Sequence, residues 1–397
     1  MFDTILLNFP IEQVTIMDRD RFSPSARGFI GFPPILMGSR KTIKAVCNPT
    51  KAESEKAYYP TLTLFKSLRQ GGYKVYLHVQ FSAQKLLYDN NFDEIGDDEL
   101  DDVCQMLHLR LKQMGIVIDA ANIRNAQVTG IHYAKNIPLI DHSIPYDYIR
   151  KFGQIDQSLW RDTAKVDYRN GGYSFKLHTN TWELTIYDKR KDLQQAKRSE
   201  RKAISKQNHL QLNLLEQIPE TVFFEVLRIE LRLNTAKTIR QHLERTGLLS
   251  ADVVPNLTLS ALFDELVAKT LLLHYLRRLE DSYPTVHKHD HTQATNLLTD
   301  LRINNADMPL QTLLAGVTFS KLLDELGDMR EIRSVLGPKA VKQWSVLKSK
   351  LSKLKTNNAE IPVFDLLTRC IIIGDKLRIK DYFLPDKKKP KISGKTM

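Results

Sequence analysis

Thr221-Val222-Phe223-Phe224-Glu225-Val226-Leu227-Arg228-Ile229-Glu230-Leu231-Arg232-Leu233 is the stretch on which the fold turns. Successive side chains of a strand point to opposite faces. Glu225, Leu227, Ile229, Leu231 and Leu233 therefore share one face, and Val226, Arg228, Glu230 and Arg232 take the other. The pattern predicts a strand with one apolar and one charged side. Upstream of it the chain reads mainly as strands and turns; downstream it reads almost entirely as helices. The expected class is α+β, an antiparallel sheet backed by helices and followed by a helical C-terminal domain.

Working outward, Ile5 to Phe9 is a short apolar run stopped by Pro10. Thr61–Phe65 and Tyr73–Phe81 flank Gly71-Gly72 and predict a hairpin. Leu100, Val103, Cys104, Leu107 and Leu111 recur at helical spacing and predict a helix over Asp98–Met114. A strand follows at Val128–Ala134, a helix at Pro145–Phe152, and strands at Tyr173–Leu177 and Trp182–Tyr187. Lys189–His209 is basic and helix-prone. Beyond the last strand, helices are expected over Thr258–Leu279, Met308–Leu326, Met329–Val335, Pro338–Lys355 and Ile361–Ile373. The tail, Asp386–Met397, has little to bury and is expected to be disordered. The expected organisation is a β-rich domain over 1–240, a helical domain over 250–385 and a basic tail over 386–397.

The 397 residues carry a formal net charge of +12, which favours a polyanionic partner. Cys47, Cys104 and Cys370 lie far apart, which argues against a disulfide framework or a cysteine-rich zinc site and fits a reducing cytoplasm. No apolar run approaches the ~18 residues of a membrane span, and Met1–Pro10 does not read as a secretory signal. No Gly-x-Gly-x-x-Gly or Walker-type phosphate loop occurs, so no ATPase or helicase activity is expected.

Period-two spacing also nominates site residues. His78 and Gln80 share a face of one strand; His132 lies opposite Ile131 and Tyr133 on another; Glu183, Thr185, Tyr187 and Lys189 share a face of a third. If these strands lie in one sheet, its polar face gathers histidines, a glutamate, a tyrosine and a lysine. Imidazole and carboxylate ligands can hold a divalent cation that polarises a phosphoryl oxygen. A tyrosine oxygen can attack phosphorus, and a lysine can stabilise the charge. The same spacing also suits solvated strand histidines and a cross-strand charge ladder of Arg228, Glu230 and Arg232. Spacing alone leaves the function open.

Four segments carry a resemblance. They are Val79-Gln80-Phe81-Ser82-Ala83-Gln84-Lys85-Leu86-Leu87 with Asn90-Asn91, Val128-Thr129-Gly130-Ile131-His132, Leu184-Thr185-Ile186-Tyr187-Asp188-Lys189, and Leu227-Arg228-Ile229-Glu230-Leu231-Arg232-Leu233. In order and spacing they resemble the phage and plasmid replication proteins of the II/X family, the rolling-circle initiators of filamentous phages and related replicons, across roughly residues 60 to 240. The Tyr-Asp-Lys segment and the later Leu-Arg-Ile-Glu segment are the strongest pair.

The resemblance implies a metal-dependent, strand-specific DNA endonuclease of HUH-like fold. Its tyrosine stays joined to the 5′ phosphate, leaves a 3′ hydroxyl for a polymerase and later rejoins the strand. Carried over, Tyr187 is the nucleophile and Lys189 its cationic helper. His132 and Glu230 fall on the family's acidic positions, His78 falls near an acidic position of related initiators, and Gln80 stands where the wider HUH group has a second histidine. Histidine in place of acidic ligands shifts the expected ion from Mg²⁺ towards Mn²⁺, because imidazole suits the softer ion; Gly130 stands where the family has an arginine. The implied partners are origin DNA, a host helicase and a polymerase, in the cytoplasm of a bacterial host, with no membrane. The alternatives are a non-catalytic origin-binding protein or repressor, and a mobilisation relaxase.

Arg190, Lys191, Lys197, Arg198, Arg201 and Lys202 follow the tyrosine and are candidate phosphate contacts, as are Arg228 and Arg232 on the last strand. Pro338–Lys355, with Lys342 and an apolar side formed by Trp344 and Leu347, suits the DNA-contacting helix of a helix-turn-helix-like unit that has Phe319–Leu326 before it. His287-Lys288-His289-Asp290-His291 reads as a solvated loop.

Overall fold

The computed structural model describes residues 1–23, 25–26, 42–69, 72–139, 142–156, 160, 165–169, 172–197, 225–250, 256–288, 291–337, 341–357 and 362–379. The chain divides into two compact units interleaved in sequence. The first takes its described residues from 1–126, 193–197 and 376–379; the second takes 127–192 and 225–375. Arg198, Arg201, Lys202 and the tail 386–397 lie outside the described residues.

The first unit contains strands β1 (Phe2–Pro10), β2 (Thr15–Ile16), β3 (Thr42–Cys47), β4 (Thr61–Arg69), β5 (Gly72–Ser82) and β6 (Ile116–Val117). Its main strands run antiparallel in the order β3-β4-β5-β1, while β2 pairs with β6. The β4–β5 hairpin forms as the glycine pair predicts. Ile5, Leu7 and Phe9 of β1 sit opposite Phe81, Val79 and Leu77 of β5, and all six are fully buried. A helix over Leu100–Gln113 buries the five residues read at helical spacing. Residues 376–379 strap onto this unit. The Leu377 N–H donates to the Glu94 carboxylate at 3.1 Å, and the Arg378 guanidinium donates to Glu99 at 3.0 Å.

The second unit contains β7 (Gln127–Leu139), β8 (Lys165–Arg169), β9 (Ser174–His178), β10 (Trp182–Asp188) and β11 (Glu225–Leu233), antiparallel in the order β7-β11-β10-β9-β8. Register aligns the apolar layer: Leu231 lies between Tyr133 and Leu184, with Leu233 beside Ile131 and Ile229 beside Ile186. Every one of these side chains is fully buried, each contributing about 1.5–3 kcal/mol. Helices Ala236–Arg245, Glu265–Asp281 and Pro362–Ile373 pack on β7, and Pro145–Phe152 packs on β10. The α+β class, antiparallel strands with a helical C-terminal region, is therefore as the alternation predicted.

Three differences have local causes. The single helix expected over Thr258–Leu279 is two, because Asp264 caps a new start by accepting from the Val267 N–H at 3.1 Å. Ala236–Arg245 is a helix the sequence reading passed over; Thr235 caps it, and Ile239, His242 and Leu243 are its buried stripe. Ala294–Asn304 is another, burying Leu297 and Leu301 in a second core that runs from Val286 to Leu354. No helix among the described residues is long and apolar enough to cross a membrane.

Candidate active site

The charged face of β11 and its two neighbours forms a lattice fixed by register. Arg232 sits opposite His132 on β7 and Glu183 on β10. Glu230 sits opposite Ala134 and Thr185, and Arg228 opposite Asn136 and Tyr187. Period two along each strand then puts all nine side chains on one face.

Glu230 is the hub of this lattice. It is 1% exposed and accepts from the Tyr187 hydroxyl at 3.0 Å and from the Arg232 Nε at 2.8 Å. Nδ1 of His132 lies 3.6 Å from Oε1 of Glu230, and Nε of Arg228 lies 3.5 Å from Oε2. The other ring nitrogen of His132 is 3.1 Å from Oδ1 of Asn234. Arg228 donates to Asn136 Oδ1 at 3.0 Å, and Arg232 reaches Glu183 at 3.1 Å. Glu183 in turn accepts from Thr185 at 2.9 Å and pairs with Lys176.

Electrostatics divide the two acids of this pair. Burial alone would raise the Glu230 carboxyl, but Arg232, the neighbouring His132 ring and Arg228 hold it well below the ordinary carboxylate range. Burial first, then the Glu230 charge, push the Tyr187 phenol well above its ordinary value; Arg228 and Arg232 pull the other way and lose. Glu183 is also lowered, because Arg232 and Lys176 outweigh its burial. The resting pair is thus a neutral phenol donating to a carboxylate.

Lys189 is buried at 3% exposure, with its ammonium 5.8 Å from the Tyr187 ring centre. Arg190 is exposed and reaches Glu225 at 3.3 Å, while the Lys191 ammonium caps the Tyr173 ring. Lys197 ends the helix Lys189–Lys197. Arg228, a candidate phosphate contact by sequence, has no exposed surface; its guanidinium donates to Asn136 and lies beside Glu230.

His132 and Glu230 are brought together, and Tyr187 joins them. His78 and Gln80 stand on β5 in the first unit. There the His78 ring packs 4.3 Å from the Phe65 ring, and burial followed by the Lys44 charge lowers its pKa. His78 belongs to no cluster of three ligating side chains among the described residues. Glu183 stands on the Tyr187 face, as period two predicts, and two further supporting residues join it. Asn136 follows from the same rule, four residues from His132. Asn234 lies beyond the end of β11, and only the folded register brings it to His132.

The cluster expected as a solvated loop is different at its start. His287 is 6% exposed, bonded to Ser320 at 2.8 Å and 3.4 Å from Asp324. It is a core histidine, because the short helical turn Thr285–His287 turns it onto the Leu310–Leu326 helix. His291 lies 3.6 Å from Asp300, and residues 289–290 lie outside the described residues.

No curated protein and no solved structure matches the chain. A family model describing the N-terminal region of a phage replication-associated protein matches residues 1–251, which take in β1 through β11 and every residue of the lattice. On that match the chain belongs to the family of phage replication initiator proteins.

Proposed function

We propose that this initiator opens rolling-circle synthesis by nicking one strand of origin DNA through Tyr187. The observation that carries the reading is the Tyr187 hydroxyl donating to Glu230 at 3.0 Å, with His132 at 3.6 Å on the other carboxylate oxygen. Oη attacks phosphorus, an Oη–P bond forms and the P–O3′ bond breaks. The phenol proton passes to the Glu230 carboxylate and returns through solvent to the departing 3′ oxygen. The product is a 5′-phosphotyrosine and a free 3′ hydroxyl, and the reverse transfer rejoins the strand.

Ionising a phenol this far above its ordinary value needs positive charge. Arg228 and Arg232 already act in that sense, and Lys189 lies beside the ring. Burial of Tyr187 keeps bulk water from competing as the nucleophile. His132 and Glu230 are an imidazole and a carboxylate within reach of one ion, a donor set that fits Mn²⁺ or Mg²⁺. Such a cation, when bound, supplies Lewis-acid stabilisation of the phosphoryl charge. Residues 1–240 carry this chemistry, and 250–385 serve origin binding. The required partners are origin DNA, a helicase to part the duplex and a polymerase to extend the 3′ hydroxyl.

The test is a supercoiled plasmid bearing the cognate origin, with Mn²⁺ or Mg²⁺, resolved on a denaturing gel. Wild type is expected to give open circles and an SDS-resistant protein–DNA adduct. Tyr187→Phe is expected to lose the adduct by about 10³-fold or more while still binding DNA. Normal nicking by that variant removes the nucleophile assignment. Origin retention by wild type with no metal-dependent cleavage selects the non-catalytic origin-binding reading instead.

A further inference from the structure

We propose that the exposed face of the Val341–Leu351 helix reads double-stranded DNA in the major groove. Three helices, Leu310–Leu326, Met329–Leu336 and Val341–Leu351, share one hydrophobic core through Phe319, Leu323, Met329, Ile332, Trp344 and Leu351. The first two are separated by Gly327 at φ +76°, and the second ends at Gly337 at φ +73°. A Cβ at Gly337 would touch nothing within 4 Å, so glycine is needed there for its backbone angle, not for space. Four residues, 337–340, join the second helix to the third. Short glycine-containing connections of this length are those of helix-turn-helix units.

The third helix divides cleanly. Trp344 and Leu351 are buried and Leu347 is partly so. At 3.6 residues per turn, Lys342, Gln343, Ser345, Val346, Ser349 and Lys350 fall on the opposite side, and all six are exposed. No aspartate or glutamate occurs from Val341 to Lys355, and Lys353 and Lys355 extend the positive surface. Lys348, on the flank, is held by Asp156 at 2.6 Å, which fixes the edge of the face.

This composition selects a duplex over other anionic surfaces. One valine among lysine, glutamine and serine is too little apolar area for insertion into a lipid interface. Glutamine can pair with an adenine edge, serine with several bases, valine with a thymine methyl group, and lysine with guanine or phosphate. Eleven residues span about 16 Å, enough to lie along a groove about 12 Å wide. The inference rests on the proposed function for origin DNA as the partner and adds the surface that reads the duplex. It is separable from the nicking chemistry because it involves no residue of the Glu230 lattice.

The test uses the full chain, a random-sequence duplex of about 30 base pairs, roughly three helical turns, and a matched single strand, by fluorescence anisotropy across a salt series. Lys342→Glu with Lys350→Glu should weaken duplex binding about tenfold or more and lower the salt slope by about 2. Gln343→Ala with Val346→Ala should keep the slope and change the sequences recovered from a randomised duplex pool. All four positions are exposed, so thermal unfolding should match wild type. Unchanged duplex affinity in the charge-reversal variant overturns the proposal, as does equal loss for duplex and single strand, which marks a general polyanion surface. Binding is read without cleavage, so a chain that never nicks still tests it.

Discussion

Two charge-rich regions of the second unit differ in almost every physical respect. The β7-β11-β10 lattice buries most of its charge, pairs its arginines with carboxylates and centres on one of them. The Val341–Leu351 face exposes its charges, carries one sign and centres on nothing. In the lattice, low dielectric makes each interaction strong and each vacancy costly. On the helix, water and salt weaken each charge, and only their sum acts, on a polyanion. The first arrangement suits chemistry at a point, and the second suits recognition along a surface.

The largest expected effect tests that contrast at the hub. Glu230→Gln leaves Arg228, which has no exposed surface, and Arg232 facing a neutral amide. Breaking a buried pair from one side costs about 3–5 kcal/mol. Urea denaturation should show that loss in the midpoint, and a variant within 1 kcal/mol of wild type, roughly a single hydrogen bond, would mean the lattice is not tightly coupled. The same change removes the charge that raises Tyr187, so its phenol should ionise at lower pH by ultraviolet titration.

Arg232 sits between the two regimes, with its side chain about a third exposed. Arg232→Met should cost less, about 1 kcal/mol, because solvent screens what it loses. A cost equal to that of Glu230→Gln would show that exposure does not grade these pairs.

The pH profile sharpens the comparison further. Glu230 is held well below its unfolded value, so the unfolded state binds the extra proton as pH falls. Its contribution is complete above about pH 4.5 and is lost as pH falls through the lower folded value. Glu99 in the first unit behaves alike: burial would raise it, but Tyr88, the Gly96 N–H, Lys376 and Arg378 bring it to about 2. Tyr187 runs the other way. Its folded value is raised, so stability falls as pH rises above about 10, where the unfolded phenol ionises first. Denaturant midpoints should drop at both ends, and a Glu230→Gln variant should lose much of the acid limb.

The lattice was legible because strands write their faces at period two. Tyr187, Glu230 and His132 each follow from alternation within one short segment. What alternation omits is register between strands, so the sequence showed Arg228 as a charge but not that Asn136 and Glu230 enclose it. It likewise placed His78 on the polar side of β5, where the ring packs on Phe65. The helices failed where caps outweigh periodicity, as at Asp264 and Thr235. The strap at 376–379 was unreadable for another reason. Its partners, Asp93, Glu94 and Glu99, lie some 280 residues away in sequence, and neither segment carries a pattern that names the other.

The smallest expected effect falls on the helix face, and its smallness is the point. Lys342 is exposed, with no aspartate or glutamate between Val341 and Lys355 to pair with, so Lys342→Ala should change stability by no more than about 0.5 kcal/mol. Its effect belongs to binding alone: one fewer phosphate contact, a salt slope smaller by about 1, and affinity lowered evenly across duplex sequences. A charge that matters to folding leaves its mark in the denaturation curve; one kept for a partner leaves it in the salt dependence. If Lys342→Ala shifted the denaturation midpoint and left the salt slope unchanged, the lysine would belong with the buried lattice, and the division between the two regions would fail at its clearest residue.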